Sequence, residues 1–295
     1  MFIEQLKKYN LNLGLYLPLP LGFIGLMLWN YISSLDMDTN EVIHQTIKLI
    51  GVNGTFLILI APLAIGLGIV FFWTKFIQNL DIRELTTSRN KVDWKRIFFS
   101  FFLWGSITSI MIVAAYFITP EHFVWNFKLD KFIIFAILAI ILIPLQTSFE
   151  EYLFRGHLMQ GLGLMTNSRL IPLLATSFLF GIMHAANPEV DKVGWIIMVY
   201  YMGTGLFLGI LTLMDEGLEL AIGFHAANNL VSALLVTADW TAFQTHSVLK
   251  DISEPSTGFE IILPFFIIFP LLLLVFSKVY KWKNWKEKLT GSLLS

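Results

Sequence analysis

Residues 132–160 read FIIFAILAIILIPLQTSFEEYLFRGHLMQ. From Phe132 to Phe149 no side chain carries a charge, and a run of about 20 mostly apolar residues is what a helix needs to cross a bilayer. Glu150, Glu151 and Arg155 then interrupt the apolar run, and Leu153, Phe154, Leu158 and Met159 resume it, so the helix continues past the charges. A charged side chain near the bilayer centre costs at least about 2.5 kcal/mol even on the mildest scale. These three residues therefore need partners or water inside the membrane.

Outward from this segment the chain repeats the apolar pattern. Eight spans are predicted, near 12–33, 50–74, 97–118, 132–160, 170–186, 193–214, 218–237 and 260–279. The connecting stretches near 34–49, 75–96 and 238–259 are the largest loops, and residues 1–295 read as a single membrane domain. Charged residues make up 14% of the chain, against roughly 25% in a soluble domain, so lipid must cover most of the surface. A net charge of −1 gives no sign of nucleic acid as a partner. With no cysteine, thiolate nucleophiles and cysteine-bound metals are excluded. The expected fold is all-α, a polytopic membrane protein of about eight transmembrane helices enclosing an intramembrane active-site cavity.

Lysine and arginine set the expected orientation. With the N-terminus inside, fifteen fall on the inner side, including Lys7, Lys8, Arg89, Arg96 and the tail lysines 278, 281, 283, 286 and 288; five, Lys48, Lys128, Lys131, Lys192 and Lys250, fall outside. Both termini are thus expected in the cytoplasm, in a membrane expected to be a bacterial cell membrane. Trp282 and Trp285, interleaved with the tail lysines, read as an interfacial anchor.

Glu151 and Arg155 are four apart with the acid first, the favourable order for a helical ion pair. Glu150 points about 100° away and has no such local partner. On spacing alone it is either a hydrated surface carboxylate or an available one. His184 shares a face with Phe180, and His225 with Asn229. Singly, a membrane histidine is a packing residue and an asparagine a helix–helix contact. Depth sharpens the reading. If the fourth helix ends near Gln160, Glu150 lies about 15 Å above the inner end. His184 lies roughly 20 Å up the fifth span, and His225 and Asn229 about 10 and 16 Å up the seventh. Three spans deliver polar side chains to one band.

A carboxylate withdrawn from water can act as a general base at neutral pH. Glu150 with His184 fits the activation of a water molecule. His225 with Asn229 fits hydrogen bonding to the oxyanion of a tetrahedral intermediate. Two histidines and a glutamate are also a sufficient first shell for zinc, although the His-Glu-x-x-His signature is absent. No cofactor is expected in the metal-free version.

These residues resemble the CPBP family, the CAAX prenyl proteases and bacteriocin-processing enzymes also called Abi. The family pattern of Glu-Glu-x-x-x-Arg, Phe-x-x-x-His and His-x-x-x-Asn is met by Glu150-Glu151-Tyr-Leu-Phe-Arg155, Phe180-Gly-Ile-Met-His184 and His225-Ala-Ala-Asn-Asn229. The resemblance covers roughly residues 145–235; the loop from Arg89 to Arg96 is also similar to bacterial members. It implies an eight-helix intramembrane endopeptidase whose site opens to the cytosolic side. By the same resemblance Glu150, assisted by His184, is the water-activating base. His225 and Asn229 are the oxyanion site, and Glu151 and Arg155 a structural pair. Its relatives act on prenylated CAAX tails or are linked to bacteriocin maturation or self-immunity. The expected partners are a peptide or protein substrate, lipid-modified in the CAAX case, and membrane lipids. The competing classes are a proton-relaying transporter and a non-catalytic immunity scaffold.

Overall fold

The computed structural model describes residues 1–9, 13–34, 36–255 and 261–293. The expected start of the first span at 12 and of the last at 260 lie outside the described residues. Eight long helical segments follow one another: α1 (Pro18–Ser34), α2 (Thr39–Ile77), α3 (Trp94–Ile118), α4 (Leu129–Thr166), α5 (Leu170–Ile182), α6 (Ile197–Asp215), α7 (Glu219–Leu235) and α8 (Pro264–Tyr280). Four of them, α2, α3, α4 and α6, are long and apolar enough to cross a membrane, and α5 and α8 are shorter apolar helices. The chain is an all-α, polytopic integral membrane protein. Leucine, isoleucine and phenylalanine side chains are exposed along α2, α3 and α4, as lipid-facing helices require.

The boundaries depart from expectation where capping or backbone freedom intervenes. The stretch 34–49 is largely helix, because Asp38 caps α2 by accepting from the backbone N–H groups of Asn40 and Glu41. Gly51, at φ 76°, bends α2 at the point where the membrane-crossing part was expected to begin. Helix α4 runs six residues beyond Gln160, to Thr166. Helix α5 stops at Ile182, short of the expected 186, so its 13 residues span about 20 Å of a hydrocarbon core about 30 Å thick. It is too short to cross that core by itself, and a short helix, Pro188–Val193, follows with Pro188 in its first turn.

Both ends of the described chain meet at one end of the bundle. Phe2, Ile3 and Leu6 are buried there, Lys7 donates to the Leu293 carbonyl and Arg169 pairs with Glu4. The segment 75–96 also folds inward. Asp81 caps a short helix, Ile82–Thr86, whose Glu84, Leu85 and Thr86 are buried. Trp282 is buried as well, donating to Asp215 Oδ1 at 3.1 Å, so it is a core residue and not the interfacial anchor expected. At the opposite end a small sheet ties the loops together. Strand β1 (Phe123–Trp125) pairs antiparallel with β3 (Leu249–Asp251), which pairs in parallel with β2 (Val236–Ala238).

Helices α5 and α6 pack closely through small residues. A Cβ on Gly205 would stand 2.7 Å from the Ser177 carbonyl oxygen, which is backbone and cannot rotate away. Replacing Gly205 with alanine gains about 1 kcal/mol of helix propensity but incurs an overpacking cost of about 1–3 kcal/mol. Gly205→Ala is therefore expected to lower the thermal unfolding midpoint in detergent, and Gly205→Leu to lower it further. A midpoint unchanged by leucine would contradict the close approach.

Candidate active site

Immediately after Glu151, α4 widens from α to π winding over Tyr152–Leu158. Such π segments are uncommon and recur at functional sites. The stretch from Phe149 to Gly161 is buried throughout, including Glu150, Glu151, Arg155, His157 and Gln160.

Arg155 has no exposed surface. Its Nη1 donates to Glu151 Oε1 at 2.9 Å and its Nη2 to the Gly205 carbonyl at 3.0 Å. The guanidinium lies 4.2 Å over the ring of Phe180, a cation–π contact. One cation thus joins α4, α5 and α6. Glu151 Oε1 has a second partner, His225 Nδ1 at 2.8 Å. The acid expected to serve Arg155 alone therefore also orients an imidazole from α7.

His225 stands between the two glutamates. With Nδ1 on Glu151, its Nε2 faces Glu150 Oε2 at 3.7 Å, beyond direct hydrogen-bond reach. Glu150 Oε1 accepts from Gln146 Nε2 at 2.5 Å, and Glu150 Oε2 has no hydrogen-bond partner. Among the described residues the site thus contains two buried carboxylate oxygens without a hydrogen-bond partner, Glu150 Oε2 and Glu151 Oε2, and the one that faces His225 Nε2 is Glu150 Oε2. Gln146 also accepts, through Oε1, from Asn229 Nδ2 at 3.4 Å, which attaches α7 to the same cluster. Asn228, rotated away from Asn229, accepts from Trp104 Nε1 of α3 at 3.1 Å and donates to Asn229 Oδ1 at 3.1 Å.

His184 lies just past the end of α5. Its Nδ1 is 2.8 Å from the Phe180 carbonyl oxygen, which can only accept, so that nitrogen carries the proton and Nε2 is left with a lone pair. The ring is held between Phe180, with centroids 5.0 Å apart, and Tyr201, stacked at 4.4 Å and 19°. Glu150 was expected to pair with His184; the imidazole it meets within 4 Å is that of His225, and among the described residues no ion pair joins it to His184. His184 lies in the turn after α5, its N–H bonded to the Gly181 carbonyl at 3.0 Å, and its ring stays beside Phe180, the residue whose face it was expected to share.

Two residues that line the cluster were not singled out from sequence. Gln146 is one turn before Glu150 and is polar within an apolar run, so its spacing carried a signal. Tyr201 stands on a different helix from His184, and no local pattern marks it. The half-buried members, His184 and Asn229, lie toward the sheet, whereas the side toward the chain termini is sealed by Tyr152–Gln160. The two described hollows, about 390 and 340 Å³, lie elsewhere, one beside Phe71, Phe72 and Phe76 of α2 and one beside Arg96 and Trp282.

A zinc shell of Glu150, His184 and His225 requires three donors converging on one point. Among the described residues no three His, Asp or Glu side chains form a group that could hold a metal ion. Glu151 on His225 Nδ1 leaves Nε2 available, as a carboxylate behind a metal-bound histidine does, but among the described residues no third donor joins Glu150 and His225 in such a group. The residues do not fit the metal, and no step is derived through it.

Residues 128–231 match the family described as type II CAAX prenyl endopeptidase Rce1-like. That interval contains all three motifs, from Glu150 to Asn229. An uncharacterized protein of Bacillus subtilis (strain 168), YyaK, is 29% identical over 220 residues, covering 74% of this chain and 72% of its own length. No solved structure matches the chain.

The buried ion pair has a direct consequence for stability. Removing one partner of such a pair leaves an uncompensated charge and costs about 3–5 kcal/mol. Arg155→Leu and Glu151→Leu are each expected to lower unfolding stability in detergent by about that amount. The double substitution should cost less than the sum of the two. Additive losses would argue against the pairing.

Proposed function

We propose, from the match of residues 128–231 to the type II CAAX prenyl endopeptidase Rce1-like family, that the chain is an intramembrane endopeptidase working through glutamate-activated water. The observation that carries this reading is the unpartnered Glu150 Oε2, buried and 3.7 Å from His225 Nε2. Two polar atoms at that separation are suited to sharing a water molecule.

In this reading Glu150 takes a proton from the water as its oxygen bonds to the peptide carbonyl carbon. His184, with its lone pair on Nε2, accepts the water's other hydrogen bond and orients it. The Asn229 amide donates to the oxyanion, and His225, its Nδ1–H held by Glu151, turns Nε2 to the same space. The carbon–nitrogen bond then breaks, and the proton held by Glu150 passes to the leaving amine. Atoms and charge balance without a covalent intermediate. Gln146 keeps the Glu150 carboxylate turned toward His225, and Tyr201 keeps the His184 ring in plane.

The substrate class that fits is a peptide reaching the membrane with its scissile bond presented as extended chain, of CAAX-like or bacteriocin type. The distribution of lysine and arginine supports cytoplasmic termini. With the terminal side of the site sealed, substrate enters from the opposite face.

Purified protein offered fluorogenic peptides, with and without a prenyl group, tests the proposal. Glu150→Gln is expected to lower kcat by at least about a thousandfold, since both the base and its charge are lost. His225→Ala and His184→Ala should each lose at least about a hundredfold. Activity should survive dialysis against a chelator. Cleavage by Glu150→Gln at the parent rate ends the proposal, and chelator-sensitive activity restored by zinc transfers it to the metal mechanism.

A further inference from the structure

The hollow of about 340 Å³ at the end of the bundle that holds the termini is not used by the proposed reaction. It lies where α6 ends at Asp215 and α8 ends at Tyr280, the level at which membrane helices leave the hydrocarbon. Five cations line it, Arg89, Arg96, Lys281, Lys283 and Lys288, against two acids, Asp215 and Glu216. We propose that it binds the phosphate of an anionic lipid headgroup.

Both acids are already occupied. Asp215 takes Arg89 Nη2 at 3.0 Å, Arg96 Nη1, and Trp282 Nε1 at 3.1 Å. Glu216 takes Lys288 Nζ at 3.1 Å and the Phe2 N–H at 2.5 Å. Arg89 and Arg96 are further held by Glu219 and Asp93 at 3.1 Å each. Lys281 and Lys283 are exposed and take part in no ion pair among the described residues. Their placement is built into the backbone. Lys281 (φ 54°) and Asn284 (φ 58°) both adopt the left-handed conformation, which non-glycine residues adopt at a cost. Between them Trp282 is driven into the core, so the lysines on either side of it turn outward to the rim.

The hollow also continues a lipid path. Leu271, Leu274, Val275 and Val279 are exposed on one side of α8 and lead up to Tyr280, whose ring lies 4.0 Å beneath the Arg96 guanidinium. Acyl chains can follow that apolar stripe while the headgroup reaches the two free ammonium groups. A free phosphate ion would use the lysines but not the stripe. Cationic side chains at the membrane surface attract anionic headgroups in this way.

The test uses the full chain in detergent and native mass spectrometry with phosphatidylglycerol or zwitterionic phosphatidylcholine. Phosphatidylglycerol retention is expected to fall roughly tenfold in Lys281→Gln/Lys283→Gln, while phosphatidylcholine retention stays the same. Both lysines are exposed, and an unchanged thermal midpoint checks that the variant is folded. Equal retention of phosphatidylglycerol by parent and variant overturns the proposal. Inorganic phosphate binding the parent tightly and displacing the lipid overturns the lipid assignment in favour of a free anion. Because the site is separate from the proposed peptidase centre, Glu150→Gln protein should retain the lipid as the parent does.

Discussion

A guanidinium with no exposed surface, in the middle of a membrane helix, dictates the arrangement around it. Arg155 cannot lose its charge under ordinary conditions, so its surroundings must supply compensation. They do so from three directions, with a carboxylate on its own helix, a backbone carbonyl on α6 and an aromatic face on α5. None of these contacts forms unless the three helices approach closely. That is why Gly205 and Gly181 stand at the crossing, where a Cβ would collide with Ser177 or Met202. The cation is thus a positional constraint on the bundle more than a source of net stability.

The two adjacent glutamates take different parts because helical geometry points them in different directions. Glu151 is saturated on one oxygen by Arg155 and His225, and through His225 it transmits the position of the buried cation to α7. Glu150 receives one hydrogen bond, from a residue on its own helix, and keeps an oxygen free. Leaving such an acceptor unpaired in a buried setting costs free energy, and natural structures retain the condition where the group has something to do. Glu151 Oε2 is unpaired as well, so what sets Glu150 apart is that its free oxygen faces His225 Nε2.

Much of this was legible in the sequence because membrane insertion makes charge costly. Eight apolar stretches and three polar interruptions follow from composition and spacing, and the i, i+4 relation of Glu151 and Arg155 is realised as a 2.9 Å ion pair. Less legible was anything set by where a helix stops. Helix α5 ends at Ile182 and leaves His184 in a turn, though still beside Phe180, and nothing between Phe180 and Pro188 encodes that stop except Asn187-Pro188, several residues later. The π winding after Glu151 is likewise a response to packing, with no local signature. Tyr201 and Gln146 belong to pairings between or along helices that residue type alone does not announce. The burial of Trp282 was missed for a related reason. A tryptophan among lysines at a helix end has the composition of an interfacial anchor, and only the acid at Asp215, far away in sequence, draws it inward.

The charged network at the terminal end bears on the site even though it stands apart from it. Glu219 opens α7 and is held by Arg89 and by the Asp93 N–H, while Asp215, closing α6, is held by the same Arg89 and by Arg96. The α6–α7 hairpin is therefore pinned at its turn. His225 lies six residues further along, about 9 Å up a rigid helix. A shift of α7 by one residue would rotate His225 by about 100° and break both of its glutamate contacts. The surface network thus fixes the height and rotation at which the imidazole meets Glu150 and Glu151. The loop from Arg89 to Arg96 thus sets the register of the helix that carries His225.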